Sequence, residues 1–144
     1  MLYEILKDNI IMQENVSDWE ESIKKASDPL EKTGKIEKRY IEAMINDIKQ
    51  IGFYVVITDK VAMPHSRPEN GVKETALSLL KLEKPVNYGE HEVNLVFILA
   101  AENKEKHIGV LKELSDFLDS DERIDLLINT KSIEEIEKFL KNRR

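Results

Sequence analysis

IEKRYIEAMINDIKQIGFYVVIT, residues 36–58, changes its hydrophobic period part-way along, and that change decides the fold. Ile36, Tyr40, Ile41, Met44, Ile45 and Ile48 recur at helical spacing and form one apolar stripe. Gly52 is a natural C-terminal stop for that helix. From Phe53 to Thr58 the chain is aromatic and β-branched, which reads as a buried strand.

Working toward the C-terminus, Asp59-Lys60 reads as a turn and Val61-Ala62-Met63 as a short second strand ended by Pro64. Ser66 to Val72, with Arg67, Pro68, Asn70 and Gly71, is a polar loop. Ala76 to Leu82 is a third strand. Leu95 to Ala101, nearly all apolar, is a fourth and belongs at the centre of the sheet. Pro85 to Val93 is expected to connect them and could carry a short edge strand. The helical period then returns. Ile108, Leu111, Leu114, Phe117 and Leu118 make one stripe, and Ile124, Leu127 and Ile128 a short helix. Ser132 and Glu135 have the spacing of a capping box that opens a last helix.

Working toward the N-terminus, Ser17 and Glu20 have the same spacing and predict a helix running to about Ala26. That helix should stop before Pro29, with a loop from Asp28 to Gly34. Leu2 to Ile11 is short and mixed. Central strands with helices before and after indicate an α/β or α+β sandwich, one sheet with helices on its faces.

At 144 residues the chain is expected to be a single domain, 1–144, with a real core. It has no cysteine, which excludes a disulfide scaffold, a thiolate metal site and a cysteine nucleophile. No apolar run approaches the roughly 20 residues of a membrane span, and no signal-like start is seen, so a cytoplasmic location is expected. The net charge of −6 argues against nucleic-acid binding. Lys141, Arg143 and Arg144 read as a helix end complementing its own dipole.

Chemistry must come from few residues. The histidines are His65, His91 and His107. His65 follows Pro64 at a strand end and precedes an open polar loop, so a stiff backbone presents an accessible imidazole. Imidazole is a competent nucleophile near neutral pH when its other ring nitrogen donates a hydrogen bond that fixes the tautomer. His107 begins a helix just after the apolar strand, where it could meet His65 and stabilise charge on a group held there. A surface role remains open for both. His91, between Glu90 and Glu92, reads as a plain surface residue. HExxH spacing and Gly-rich phosphate loops are both absent, so metal and direct nucleotide chemistry are not indicated.

Ala62-Met63-Pro64-His65, followed by Ser66-Arg67-Pro68-Glu69, resembles the phosphorylation motif of a known family. This is the mannitol/fructose-type (type 2) enzyme IIA components of the bacterial phosphoenolpyruvate-dependent sugar phosphotransferase system. Tyr40 to Met44, Leu95 to Ala101 and His107-Ile108-Gly109 resemble further family features in the same order, so the match spans about Tyr40 to Leu127. Gly52 to Ile57 and the motif around His65 are most similar to the ascorbate-type branch. That branch often has proline where Phe53 stands and an acidic-proline segment where Glu92-Val93-Asn94 stands. Many mannitol-type members carry an Arg-Glu pair where this chain has Lys49-Gln50, which leaves Arg67 as the candidate positive charge.

The resemblance implies a three-layer α/β/α sandwich around a mixed sheet of about four to five strands. It implies a phosphorelay without metal or cofactor. The histidine-containing phosphocarrier protein HPr would donate to His65, and His107 would assist. The phosphoryl group would pass to a cysteine of an EIIB component, with the membrane component EIIC coupling it to sugar uptake. Arg67 and Ser66 are the expected binding residues. Both partners should dock over an apolar surface with a polar rim around His65, drawn from Met63, Ser66, Arg67 and Asn70. A phosphorylation-dependent regulatory domain, a hydrolase with His65 as base, and a plain interaction domain are the competing readings.

Overall fold

A computed structural model describes residues 2–142. Arg143 and Arg144, two of the three residues in the C-terminal basic cluster, lie outside the described residues.

The elements follow the chain as α1 (Leu2–Leu6), β1 (Ile10–Gln13), α2 (Trp19–Lys32), α3 (Lys38–Ile51), β2 (Val56–Thr58) and β3 (Lys60–Ala62). A 3₁₀ turn at Pro68–Asn70 precedes β4 (Ala76–Tyr88) and β5 (His91–Ala100). Then come α4 (Lys104–Phe117), α5 (Asp121–Ile128) and α6 (Ile133–Lys141). The five strands form one mixed sheet in the order β1-β4-β5-β3-β2. β4 and β5 pair antiparallel at its centre, with β1 parallel to β4 and β3 parallel to β5.

Strand alternation splits the core in two. Leu80, Val96, Ile98 and Ala100 point to one face, where Ile23, Ala26 and Leu30 of α2 and Tyr40, Met44 and Ile48 of α3 cover them. Leu77, Leu79, Leu95, Phe97 and Leu99 point to the other, against Leu114, Phe117, Ile124, Leu127, Ile136 and Leu140 of the last three helices. Helices therefore lie on both sides of the sheet, which is the three-layer arrangement expected. Buried polar groups are tied into this frame. Ser78 Oγ donates to the Ala26 carbonyl at 2.6 Å, and Lys81 Nζ to the Thr130 carbonyl just past α5 at 2.5 Å.

Four local expectations need correction. Phe53 to Thr58 is not a buried strand: only Val56–Thr58 pairs, as an edge strand with two exposed residues. Phe53 instead packs edge-on against Trp19, 5.4 Å between centroids, and against Tyr88 at 5.9 Å. The region Pro85 to Val93 is the far end of a continuous β4–β5 hairpin, closed by Gly89-Glu90 between the paired Tyr88 and His91. Pro85 is accommodated because the register shifts between Lys81 and Val86, so no ladder N–H is needed there. α2 runs through Pro29 to Lys32, since a proline in the last turn forfeits only one internal hydrogen bond. Its cap lies one residue later than expected: Asp18 Oδ1 accepts the Glu21 N–H, and Glu21 Oε1 accepts the Ser17 N–H. Finally, the mixed first stretch holds a helix and the edge strand β1, too short for either to show a period.

Candidate functional site

β3 and β5 are parallel neighbours, so their C-terminal ends emerge at the same edge of the sheet. β3 ends at Ala62 and leads through the buried Met63 and Pro64 to His65; β5 leads through Ala101 to α4. Two backbone bonds hold the lead-in segment: Met63 N–H donates to the Val55 carbonyl at 2.8 Å, and Leu99 N–H to the Pro64 carbonyl at 3.1 Å.

The His65 ring is fixed by its own strand end. Nδ1 lies 2.9 Å from the Met63 carbonyl oxygen. A carbonyl can only accept, so Nδ1 carries the proton and Nε2 keeps a free lone pair. His107 sits in the first turn of α4, which Asn103 caps by accepting the Lys106 N–H at 2.9 Å. The two imidazoles lie 5.1 Å apart between centroids, with planes inclined at 63°. Burial, and secondarily the facing His65, lower the His107 pKa from its ordinary value, which favours the neutral ring. Tyr54 also stands edge-on to His65, at 6.1 Å between centroids.

The loop after His65 is braced from α3. The buried Tyr40 hydroxyl accepts the Ser66 N–H at 2.9 Å and donates to the Leu99 carbonyl at 2.7 Å, linking the loop to β5. Burial raises the Tyr40 pKa, so this hydroxyl keeps its proton. Ser66 Oγ donates to Asp47 Oδ2 at 2.7 Å and accepts from Asn70 Nδ2 at 2.9 Å. Arg39 holds the Glu69 carbonyl at 2.9 Å. Gly71, at φ +133°, lets the loop close on the helix; a Cβ there would stand 3.1 Å from both Tyr40 Cβ and Tyr40 N.

The fold thus brings His65, His107, Arg67 and Ser66 to one cleft of about 420 Å³, with Tyr54 and Lys104 on its wall. Arg67 is exposed and forms no ion pair among the described residues; Glu69 does not pair with it. Both N–H and O–H donors of Ser66 are already committed. Met63 is 2% exposed and cannot contribute to a docking surface. The exposed apolar residues here are Ile51 (71% exposed) and Tyr54 (44%), which line the cleft, and Ile108 (54%), next to His107 on α4. Ile108 reads as part of an apolar stripe and Tyr54 as part of a buried strand, so neither signals exposure, and Ile51 falls outside the stripe that ends at Ile48. His91 is exposed at the opposite end of β5, roughly 30 Å along the strand. A larger groove of about 1060 Å³ between α2 and α3 mixes lysines with carboxylates and contains none of the expected site residues. Among the described residues, no three His, Asp or Glu side chains gather where they could hold a metal ion.

Comparison with known proteins converges on one description. Residues 4–143 match the profile of "Phosphoenolpyruvate-dependent sugar phosphotransferase system, EIIA 2". The chain is 34% identical over 116 residues to the ascorbate-specific PTS system EIIA component of Salmonella typhimurium, covering 77% of this chain and 75% of that protein. It superposes on the mannitol-specific cryptic phosphotransferase enzyme IIA CmtB of Escherichia coli with TM-score 0.86 and 28% identity, over 95% of each chain. A third likeness is to the Escherichia coli complex of mannitol enzyme IIA with phosphorylated mannitol enzyme IIB. There the TM-score is 0.81 and the identity 29%, over 93% of this chain and 94% of that one.

Proposed function

Because this chain belongs to the EIIA type 2 family of the phosphoenolpyruvate-dependent sugar phosphotransferase system, we propose that it is a phosphocarrier whose acceptor atom is Nε2 of His65. The observation that carries the reading is the bond from His65 Nδ1–H to the Met63 carbonyl, 2.9 Å, which leaves Nε2 as the nucleophile in the cleft.

In the first step the Nε2 lone pair attacks phosphorus on the phosphohistidine of HPr. The donor N–P bond breaks, its electron pair stays on the donor imidazole, and a P–Nε2 bond forms. In the second, a cysteine thiolate of an EIIB component attacks the same phosphorus, and the pair returns to Nε2. Phosphoryl transfer needs in-line positioning and charge stabilisation more than covalent machinery, so no cofactor enters. A neutral His107 can donate an N–H to a phosphoryl oxygen, and the N-terminal turn of α4 favours the anion. Arg67, exposed and in no ion pair among the described residues, supplies a planar donor fork. Ser66 contributes through the shape of the loop rather than a free donor.

Residues 1–144 then form one such domain, working in the cytoplasm and feeding a membrane EIIC component through EIIB. The likeness to ascorbate-specific relatives supports ascorbate as the transported sugar. The test is incubation with labelled phosphoenolpyruvate, enzyme I and HPr. Acid-labile label should appear on the protein and be lost in His65→Ala; persistent labelling of that variant would overturn the assignment.

A further inference from the structure

Asp47 is a carboxylate facing a cleft that, on the reading above, must hold a phosphoryl dianion. It lies seven residues after Tyr40 on α3, two helical turns along the same face, so both side chains reach the loop that follows His65. It makes no ion pair among the described residues, although Arg67 and Lys104 line the same cleft. Its one hydrogen bond, from Ser66 Oγ at 2.7 Å, would be accepted equally well by the amide oxygen of asparagine. The bond therefore explains the shape of the side chain but not its charge. The charge reaches into the cleft: the Tyr54 hydroxyl, held in its protonated form chiefly by burial, is held there also by Asp47.

We propose that Asp47 raises the phosphoryl-transfer potential of His65, by setting an uncompensated carboxylate on the cleft wall and by keeping the Ser66 hydroxyl hydrogen turned away from the phosphoryl group. The inference rests on the carrier reading. A carrier that bound its phosphoryl group as tightly as arginine, lysine and two imidazoles allow would release it poorly. One negative charge in the same cleft weakens the phosphorylated state and leaves the free state untouched, which favours onward transfer. Asp47 acts here as a positioning residue and a source of field, and no bond to phosphorus passes through it.

The test is an equilibrium measurement. Phosphorylated HPr is mixed with the full chain at low ionic strength, and the ratio of phosphorylated to free forms of both proteins is read at equilibrium. Asp47→Asn should raise the equilibrium constant for phosphorylation of His65 by roughly three- to tenfold. The gain should shrink toward wild type at about 1 M salt, where partly exposed charges are screened. Asp47→Ser, a second neutral variant, should move the same way. Asp47→Glu keeps the charge and should restore the constant to within about twofold of wild type, a difference of about 0.4 kcal/mol. An Asp47→Asn constant within about twofold of wild type or below it, or an Asp47→Glu constant raised as far as that of Asp47→Asn, would overturn the proposal. If the wild-type chain takes no phosphoryl group, the carrier reading itself fails and this inference with it; if wild type is labelled and the variants do not differ, only this inference fails.

Discussion

At the scale of single residues the site is set by which proton sits where. The Met63 carbonyl fixes the proton of His65 on Nδ1, and burial keeps His107 neutral. The His107 shift has a sign that can be checked. Its folded pKa lies below the ordinary value, so the folded state binds fewer protons than the unfolded chain as pH falls past about 6.5. Stability associated with this group is present above that pH and is lost as pH falls toward the lowered folded pKa. An NMR titration should find the His107 midpoint below the ordinary imidazole value of about 6.5. Once His65 carries a phosphoryl group the same midpoint should rise, because a dianion then faces the ring. A midpoint unmoved by phosphorylation would remove His107 from the reacting centre. His107→Gln should still accept label on His65 but pass it on about tenfold more slowly, ~1.4 kcal/mol of barrier, in a single-turnover assay. Sequence alone carried much of this: Pro64-His65 at a strand end and His107 at a helix start were legible. Asp47 and Tyr54 were not, because a helical aspartate and a tyrosine in an apolar run carry no signal of facing a cleft. Only the loop's return path puts them there.

At the scale of elements, periodicity located the long helices and the central strands and misplaced their ends. The Ile36-to-Ile48 stripe became α3, and Ser132 caps α6 by accepting the Glu135 N–H at 3.2 Å. The N-terminus of α2 was read one residue early, because Ser17/Glu20 and Asp18/Glu21 have the same spacing and only geometry separates them. Mutation distinguishes the two frames. Asp18→Ala should cost about 1 kcal/mol in denaturant unfolding, as the loss of an N-cap does. Ser17→Ala should cost less than about 0.5 kcal/mol, since only its backbone N–H takes part. A reversed order would restore the earlier frame. The misread hairpin end has a related cause. Pro85 argues against a strand interior, yet the register shift there removes the need for its missing donor, and nothing local to Pro85 announces a shift that sets residues 82–85 against Asn94 alone. β1 was missed because four residues at a sheet edge are too few for alternation to be seen.

At the scale of the whole molecule, the parallel pairing of β3 with β5 makes the site. Parallel neighbours deliver their C-terminal ends together, so one edge receives His65 from one strand and His107 from the helix after the other. The surface around that edge is apolar at Ile51, Tyr54 and Ile108 and basic at Arg67 and Lys104, on a chain whose net charge is −6. On the proposed relay, donor and acceptor each bring a reacting atom to the same nitrogen, so they should compete for this face through small, short-lived interfaces. Ile51→Glu and Ile108→Glu should each weaken exchange with both partners about tenfold or more while leaving thermal stability nearly unchanged, as exposed residues outside the core do. Loss of exchange with one partner alone would separate the two docking surfaces. The central claim is narrower than any of these and rests on one atom. NMR of the ¹⁵N-histidine-labelled protein after phosphorylation by phosphoenolpyruvate, enzyme I and HPr reads directly which ring nitrogen carries phosphorus. The account predicts a phosphoramidate at Nε2 of His65, with Nδ1 still protonated; phosphorus on Nδ1, on His107 or on His91 would contradict it.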